Sequence, residues 1–495
     1  MVLAKRDIVI FVSALTAAAI SMVSYTSGPL GIAHATIPLM LLISCSLFPQ
    51  IINLKSFHLV SALAACVVFL DESYNNPFYE GSPPSELLGP LLFDRWQILF
   101  DLPGMQFTTF EILTIFAALG FFIYRAFTRD SRSVDNGSYL MRFMVLILPV
   151  TCTAAVCFGF WRGHDMAMAM TQNRFMPVLS AWIYLGYCAY DQPENATRLF
   201  KLLTAVVILK CFEAWYVFAA DFGFKMDSRE YLMEHITSES IAMAMVFIGY
   251  TWWHKRRHLG DDLLAIFAIV IMMGPYLLNL RRTSYIGLGL TGILLPVLYR
   301  QALKIRHLII AAALACTAAS VVLATWNTPG PLGTFSRPVK RFLNPPPPGE
   351  FDYRDVENYN NYRSIMDQPL SGRGFGVSLA RYLPLLDIST VYPLYEIVPH
   401  NNILFLWSLG GPITMAAFAT TAAFGIAVCI RLSRTSRAYS TRLLGFIGWG
   451  MIVRWLIFCW ADLGLAFFRL PAITGLVMGM ALRAFCKTEK GVSRA

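Results

Sequence analysis

Long apolar runs alternate with short polar connections from one end of the chain to the other. Trimmed toward the ~20 residues that a bilayer core requires, they predict about fourteen membrane-spanning helices. The approximate limits are 8–24, 31–49, 57–71, 108–127, 142–160, 176–190, 199–220, 239–253, 262–279, 284–299, 307–325, 401–430, 443–460 and 463–485. The run at 401–430 is long for one crossing, so it is expected to be tilted, kinked near Gly410-Gly411-Pro412, or broken. One polar stretch interrupts the pattern, residues 326–398. It holds a proline-rich spacer, Asn344-Pro345-Pro346-Pro347-Pro348-Gly349, then a predicted helix capped by Asp352 and running to about Asp367. Pro369 and the alternating Gly372, Gly374 and Gly376 end that helix. The expected organisation is N-terminal helices over 1–325, a large loop over 326–398 and C-terminal helices with a basic tail over 399–495. The fold class is an all-α polytopic membrane bundle of about 12–14 transmembrane helices.

Composition agrees with this pattern. The chain is 56% hydrophobic and 14% charged, with a mean hydropathy of +0.55, against roughly a quarter charged in soluble domains. The net charge of +10 follows from topology and does not point to nucleic acid. With the N-terminus inside, Lys5/Arg6, Lys255/Arg256/Arg257, Arg300/Lys304/Arg306 and Arg431/Arg434/Arg437/Arg442 all fall on the inner side. The 71–107 connection, with six acids and the single base Arg95, falls outside, as does 326–398. Lys5-Arg6 and the apolar segment after them look like a signal peptide. The many later spans favour an uncleaved first helix. All ten cysteines lie in or beside apolar runs without a CxxC pair, and are expected to be small buried hydrophobes.

Four polar groups reach the outer face. His400, in Pro399-His400-Asn401-Asn402, stands where the long loop meets an apolar run. Histidine suits proton transfer near neutral pH, although an interfacial histidine bonded to a carbonyl has the same sequence appearance. Arg162, Asp165 and Arg174 bracket a Met/Ala-rich segment, a predicted short interfacial helix, and snorkelling arginines are the alternative reading. Arg281-Arg282 stand where the charge rule predicts few basic residues. Guanidinium forks grip phosphate oxygens bidentately, so these hairpins suggest a basic pocket for an anionic, lipid-linked head group. The Gly372–Gly376 run either lets backbone N–H groups approach a phosphate or sugar, or is a tight turn. Lys210 and Glu213, three residues apart, are expected to neutralise each other. Glu111, Arg454, Asp462 and Arg469, toward outer span ends, are expected to form bundle ion pairs or line a sugar path. No zinc-type, P-loop or GxSxG spacing is present.

Asp367-Gln368-Pro369-Leu370-Ser371-Gly372-Arg373-Gly374-Phe375-Gly376, followed by His400-Asn401-Asn402 and Gly410-Gly411, resembles the O-antigen ligase and polysaccharide polymerase superfamily. Leu280-Arg281-Arg282-Thr283 and the 163–174 hairpin extend the likeness over about 155–425. The resemblance implies a membrane-embedded, GT-C-type glycosyltransferase without cofactor or metal, in a bacterial inner membrane with its site on the periplasmic side. Its donor would be an undecaprenyl-diphosphate-linked glycan. Its acceptor would be a sugar hydroxyl, on lipid A-core or on another lipid-linked repeat unit. His400 would be the base, with Arg174, Arg282, Arg281 and Arg162 on the diphosphate. Asn401, Arg363, Arg373 and Asp165 would contact sugar or acceptor. The competing expectation is a transporter or flippase of lipid-linked saccharides, which should spread charge through the bundle rather than gather it on one face.

Overall fold

The computed structural model describes residues 56–72, 85, 89–95, 107–128, 136–224, 232–254, 259–279, 281–298, 316, 319–320, 322–328, 336, 353–389, 392 and 394–492. The expected spans at 8–24 and 31–49, most of 307–325, the proline-rich spacer and the Asp352 cap lie outside them. Fourteen helices are described: α1 (Ser56–Phe69), α2 (Gly89–Phe93), α3 (Thr109–Thr128), α4 (Asn136–Trp161), α5 (Met166–Asn173), α6 (Phe175–Ala189), α7 (Pro193–Ala220), α8 (His235–His254), α9 (Leu259–Leu278), α10 (Arg282–Leu298), α11 (Tyr353–Asp367), α12 (Asn402–Thr435), α13 (Tyr439–Ala461) and α14 (Arg469–Val492). Six segments, within α4, α7, α9, α12, α13 and α14, are long and apolar enough to cross a membrane. The protein is an all-helical, polytopic bundle.

α6 and α14 form its centre. Every residue of α6 except Pro177 and Ala181 is buried, so this helix is enclosed by protein all round. Small residues allow the close approach: a Cβ added at Gly479 would lie 1.9 Å from the Ile183 carbonyl oxygen, and one at Gly186 would lie 2.1 Å from that of Leu476. Gly475 and Gly479, spaced four apart, give the small-xxx-small contact that lets membrane helices pack where no water drives them together. Helices at the rim instead expose large apolar side chains such as Phe116, Val150, Leu209 and Leu264, the surface expected of lipid-facing elements.

α12 breaks where Gly410-Gly411-Pro412 predicts. Gly411 has φ 71° and ψ −176°, a conformation that side-chain-bearing residues avoid, and Pro412 removes a helix donor. The cysteines depart in part from expectation. Cys152, Cys188, Cys211, Cys429, Cys459 and Cys486 are buried, but Cys66, Cys157 and Cys316 are exposed. On a bundle in lipid the outer surface is itself apolar, so a weakly polar thiol needs no burial in protein.

Ion pairs inside the bundle gather toward the end from which the 353–398 segment enters α12. Lys210 bonds Asp71 at 2.5 Å and Glu213 at 2.7 Å. Arg469 joins Asp71 at 3.3 Å and Glu234 at 2.5 Å. Arg454 pairs with Glu239 at 3.3 Å, and Arg174 with Glu111 at 3.3 Å. The expected Lys210–Glu213 neutralisation is present, and Asp71 turns inward to share it. Of the four charged residues expected near outer span ends, Glu111, Arg454 and Arg469 are in these pairs, and Asp462 faces Arg354 at 3.8 Å. Removing one member of such a pair leaves an uncompensated buried charge, at a cost of about 3–5 kcal/mol.

Candidate functional site

The site is built on α11 and the start of α12. α11 is polar overall, yet its buried residues are Glu357, Asn360, Asn361, Ser364 and Ile365. Four of these recur at i, i+3, i+4 and i+7, one face of a helix, so the helix turns a polar stripe inward. Asn360 fastens the following segment. Its Oδ1 accepts the N–H groups of Tyr382 at 3.1 Å and Leu383 at 2.8 Å, and its Nδ2 donates to the Leu383 carbonyl at 2.9 Å.

Glu357 carries the chemistry of the stripe. Its carboxylate accepts the His400 backbone N–H at 2.9 Å and stands 3.3 Å, through either oxygen, from His400 Nδ1. The Glu357 side chain is 1% exposed and that of His400 14%. The histidine is thus backed by a buried carboxylate and keeps a route to the outside. Tyr353 and Tyr392 flank the imidazole, with ring centroids 5.8 and 5.6 Å away. Burial, then the Glu357 charge, pushes both phenols above their ordinary range, so they stay neutral beside the pair. Tyr392 donates its hydroxyl to the Val398 carbonyl at 2.9 Å. Two asparagines hold the backbone here. Asn401 caps α12 by accepting from Leu404 N at 3.1 Å. Asn402 donates to the Pro399 carbonyl at 2.9 Å and accepts from Leu465 N at 2.7 Å.

Around this dyad lie charged groups from distant parts of the chain. Asp462, at the end of α13, is buried, which alone would raise its pKa. The charges of Arg354, His235, Arg281 and His400 overcome that and hold it at about 2. One carboxylate therefore senses Arg281 and His400 together. Asn279 ties the end of α9 to α8 and the residues before it, because its Oδ1 accepts from Met233 N at 3.0 Å and its Nδ2 donates to Ser238 at 2.7 Å. Arg281 is 9% exposed. The neighbouring Arg282 begins α10, and its side chain lies outside the described residues.

On the other flank, Arg174 sits between α5 and α6. Its guanidinium meets Glu111 and lies 4.3 Å from the centroid of the Phe468 ring. Burial draws its pKa down to about 10 while Glu111 holds it up, so it remains a cation. Arg95 interacts electrostatically with Glu111, Arg174 and Tyr392, which links Arg174 to the tyrosine beside His400.

The remaining sequence candidates are occupied elsewhere. Arg162 donates to Gln368 at 2.7 Å and to the Arg373 carbonyl at 3.3 Å. Arg373 donates to the Ser378 carbonyl at 3.0 Å. Asp165 caps α5 through Met168 N at 2.6 Å, and Arg363 stands over the Tyr382 ring at 5.9 Å. His164, the second histidine on a candidate hairpin, contacts the Phe375 carbonyl through Nδ1 at 3.2 Å.

These groups surround the glycine run, and the run itself decides between its two readings. The N–H of Gly372 donates to Gln368 O at 3.1 Å, Arg373 to Ser408 O at 2.9 Å, Gly374 to Leu409 O at 2.9 Å and Phe375 to Ala155 O at 3.4 Å. Gly376 donates to Gln172 Oε1 at 2.7 Å. All five donors are used inside the protein and none is offered to a phosphate. The glycines make close packing possible instead: a Cβ on Gly374 would lie 2.6 Å from Gly159 Cα, and one on Gly372 would lie 2.5 Å from Gly411 N. The run is a tight turn wedged between α4 and the break in α12. Gln172, fully buried, completes it by donating to the carbonyls of Val377 at 2.8 Å and Ile397 at 3.1 Å.

The structure thus brings His400, Asn401 and Arg281 around Asp462, and links Arg174 to them only through Arg95 and Tyr392. It sets Arg162, Arg373 and Asp165 in the turn's scaffold. Glu357, Arg354, His235, Tyr353 and Tyr392 were not singled out by sequence reasoning; the recurring polar positions of α11 were the available signal for Glu357. Among the described residues no group of three or more His, Cys, Asp or Glu side chains is arranged to hold a metal ion. No protein-family model matches the chain, and no curated protein matches it.

Proposed function

We propose that the protein is a membrane glycosyltransferase that moves an undecaprenyl-diphosphate-linked glycan onto a sugar hydroxyl, as an O-antigen ligase or polysaccharide polymerase does. It would act in a bacterial inner membrane, with its site toward the periplasm. The observation that carries this reading is the buried Glu357 behind His400. With Nδ1–H directed at the carboxylate, Nε2 keeps its lone pair and can take a proton. In the proposed reaction the acceptor oxygen bonds to the anomeric carbon of the donor as the bond from that carbon to the diphosphate breaks. The hydroxyl proton passes to His400 Nε2, and the bonding electrons leave with the diphosphate. Glu357 stabilises the imidazolium so formed. Direct displacement inverts the anomeric centre and forms no glycosyl-enzyme.

Arg281 and Arg174, with Arg282 as a further candidate, are proposed to hold the leaving diphosphate. Arg281 is named first because Asp462 and His235 each sense both Arg281 and His400. Asn401 serves by fixing the histidine's backbone. The pairs of Arg174, Arg454 and Arg469, which lie near loop-side helix ends, support a one-sided enzyme over a transporter, whose polar path would continue through the bundle. The test is the pattern of lipid-linked glycan and product in cells carrying His400→Ala at normal abundance. Loss of chain length identifies a polymerase, and loss of attachment identifies a ligase. A wild-type pattern would overturn the proposal.

A further inference from the structure

The glycine turn enters the bundle more deeply than an extramembrane loop. Its backbone is tied to Ser408 and Leu409, and Gly372 abuts Gly411. Gly411 is nine residues inside α12, or about 13 Å along the axis. On its other side Phe375 bonds Ala155, six residues before the end of α4, or about 9 Å. Both contacts fall within segments long and apolar enough to cross a membrane, Tyr139–Trp161 and Asn402–Thr435. Irregular backbone is tolerated at such depth only when its polar groups are satisfied by protein, and the five N–H groups from Gly372 to Gly376 all are.

The tip of this element presents two uncovered apolar side chains, beside the exposed Asp367 and Ser371 at its edges. Leu370 is 81% exposed and Met366 55%. Arg162, just past α4, holds the tip through Gln368, and Trp407 holds it from α12 by donating to the Pro369 carbonyl at 3.2 Å. Trp161, 80% exposed, and Ile413, 70% exposed, are uncovered apolar side chains on those two helices. Tryptophans at this position match the belt that membrane proteins place at the lipid–water boundary.

We propose that the 366–371 turn is a re-entrant foot whose Leu370 sits among phospholipid acyl chains in the upper part of the leaflet on the loop side. This foot would set the height of α11, and with it the Glu357–His400 pair, relative to the bilayer surface. The inference rests on the membrane fold and these contacts, and does not depend on glycosyl transfer.

The test uses the full chain in phosphatidylethanolamine–phosphatidylglycerol vesicles. An environment-sensitive fluorescent amino acid replaces Leu370 by stop-codon suppression. The same substitution at Leu386, 71% exposed on the loop, gives the comparison. Quenching is measured with phospholipid carrying a doxyl group near the top of its acyl chain, and with aqueous iodide. At Leu370 the doxyl lipid should quench several-fold more than iodide, and at Leu386 the order should reverse. Iodide quenching at Leu370 equal to that at Leu386 would place the turn in water. Protection from both quenchers would show it covered by protein, for example a second copy of the chain. Either result overturns the proposal. Should the Leu370 variant fail to fold, the label at Met366 carries the same expectations.

Discussion

Changing Glu357 to glutamine preserves size and one acceptor oxygen but removes the charge behind His400. The wild-type separation of 3.3 Å sets a Coulomb ceiling of about 5 kcal/mol at an effective dielectric of 20. The amide oxygen still accepts the His400 N–H, so the loss should approach that of one charge-assisted hydrogen bond, about 2–3 kcal/mol. Because imidazolium forms only as the proton transfers, this loss belongs to the transition state. It corresponds to a fall in kcat of roughly 30- to 150-fold with donor affinity little changed. The assay is glycan transfer in proteoliposomes, with donor binding measured separately and thermal unfolding as a check on folding. His400→Ala should lose about 10²–10⁴-fold. Adding Glu357→Gln to His400→Ala should change little further, because the carboxylate acts through the imidazole. Full kcat in Glu357→Gln, or multiplicative losses in the double variant, would refute the dyad.

Arg281→Lys should reduce transfer strongly at unchanged abundance, since lysine lacks the planar fork; loss confined to Arg282→Lys would move the diphosphate contact by one residue. Gly163 and Gly374 have nearly equal φ, 82° and 83°, but a Cβ at Gly163 meets nothing within 4 Å. Gly163→Ala should therefore cost about 1–2 kcal/mol of backbone strain, and Gly374→Ala clearly more, read as the difference in unfolding midpoint; equal shifts would count against the wedge. Asp462 has a depressed folded pKa, so its contribution is complete above the unfolded value near 4 and disappears as pH falls toward about 2. The shift corresponds to about 2 kcal/mol. The stability gap between wild type and Asp462→Asn should be flat above about pH 5 and shrink below pH 4, and a gap independent of pH would show that the carboxylate is not held by these cations.

The helical architecture was legible because its determinants are local. A membrane helix needs about twenty apolar residues bounded by charge, and such runs end near the observed limits of α4, α7, α9, α12 and α13. Gly410-Gly411-Pro412 announced the break in α12, and the Met/Ala segment after Asp165 announced α5, since glycine, proline and capping side chains act on their own neighbourhood. His400 could be singled out because a titratable group at the edge of an apolar run is conspicuous on its own.

Its partner could not. Glu357 lies 43 residues earlier, on a helix whose charges look solvated until packing turns one face inward. Arg281 stands just before α10, and only neighbours such as His235 and Asp462, remote in sequence, give its position a meaning. The glycine run was compatible with a phosphate cradle or a tight turn as long as its partners were unknown; Ser408, Leu409, Ala155 and Gln172, distant in sequence, take its donors. Sequence alone marked the long apolar helices α4, α7, α9, α12 and α13 and a titratable group at the start of one of them, because bilayer thickness and helical period act over a few turns. Which carboxylate backs the histidine, and which N–H groups are already spent, depended on contacts between remote segments, which only the tertiary structure decided.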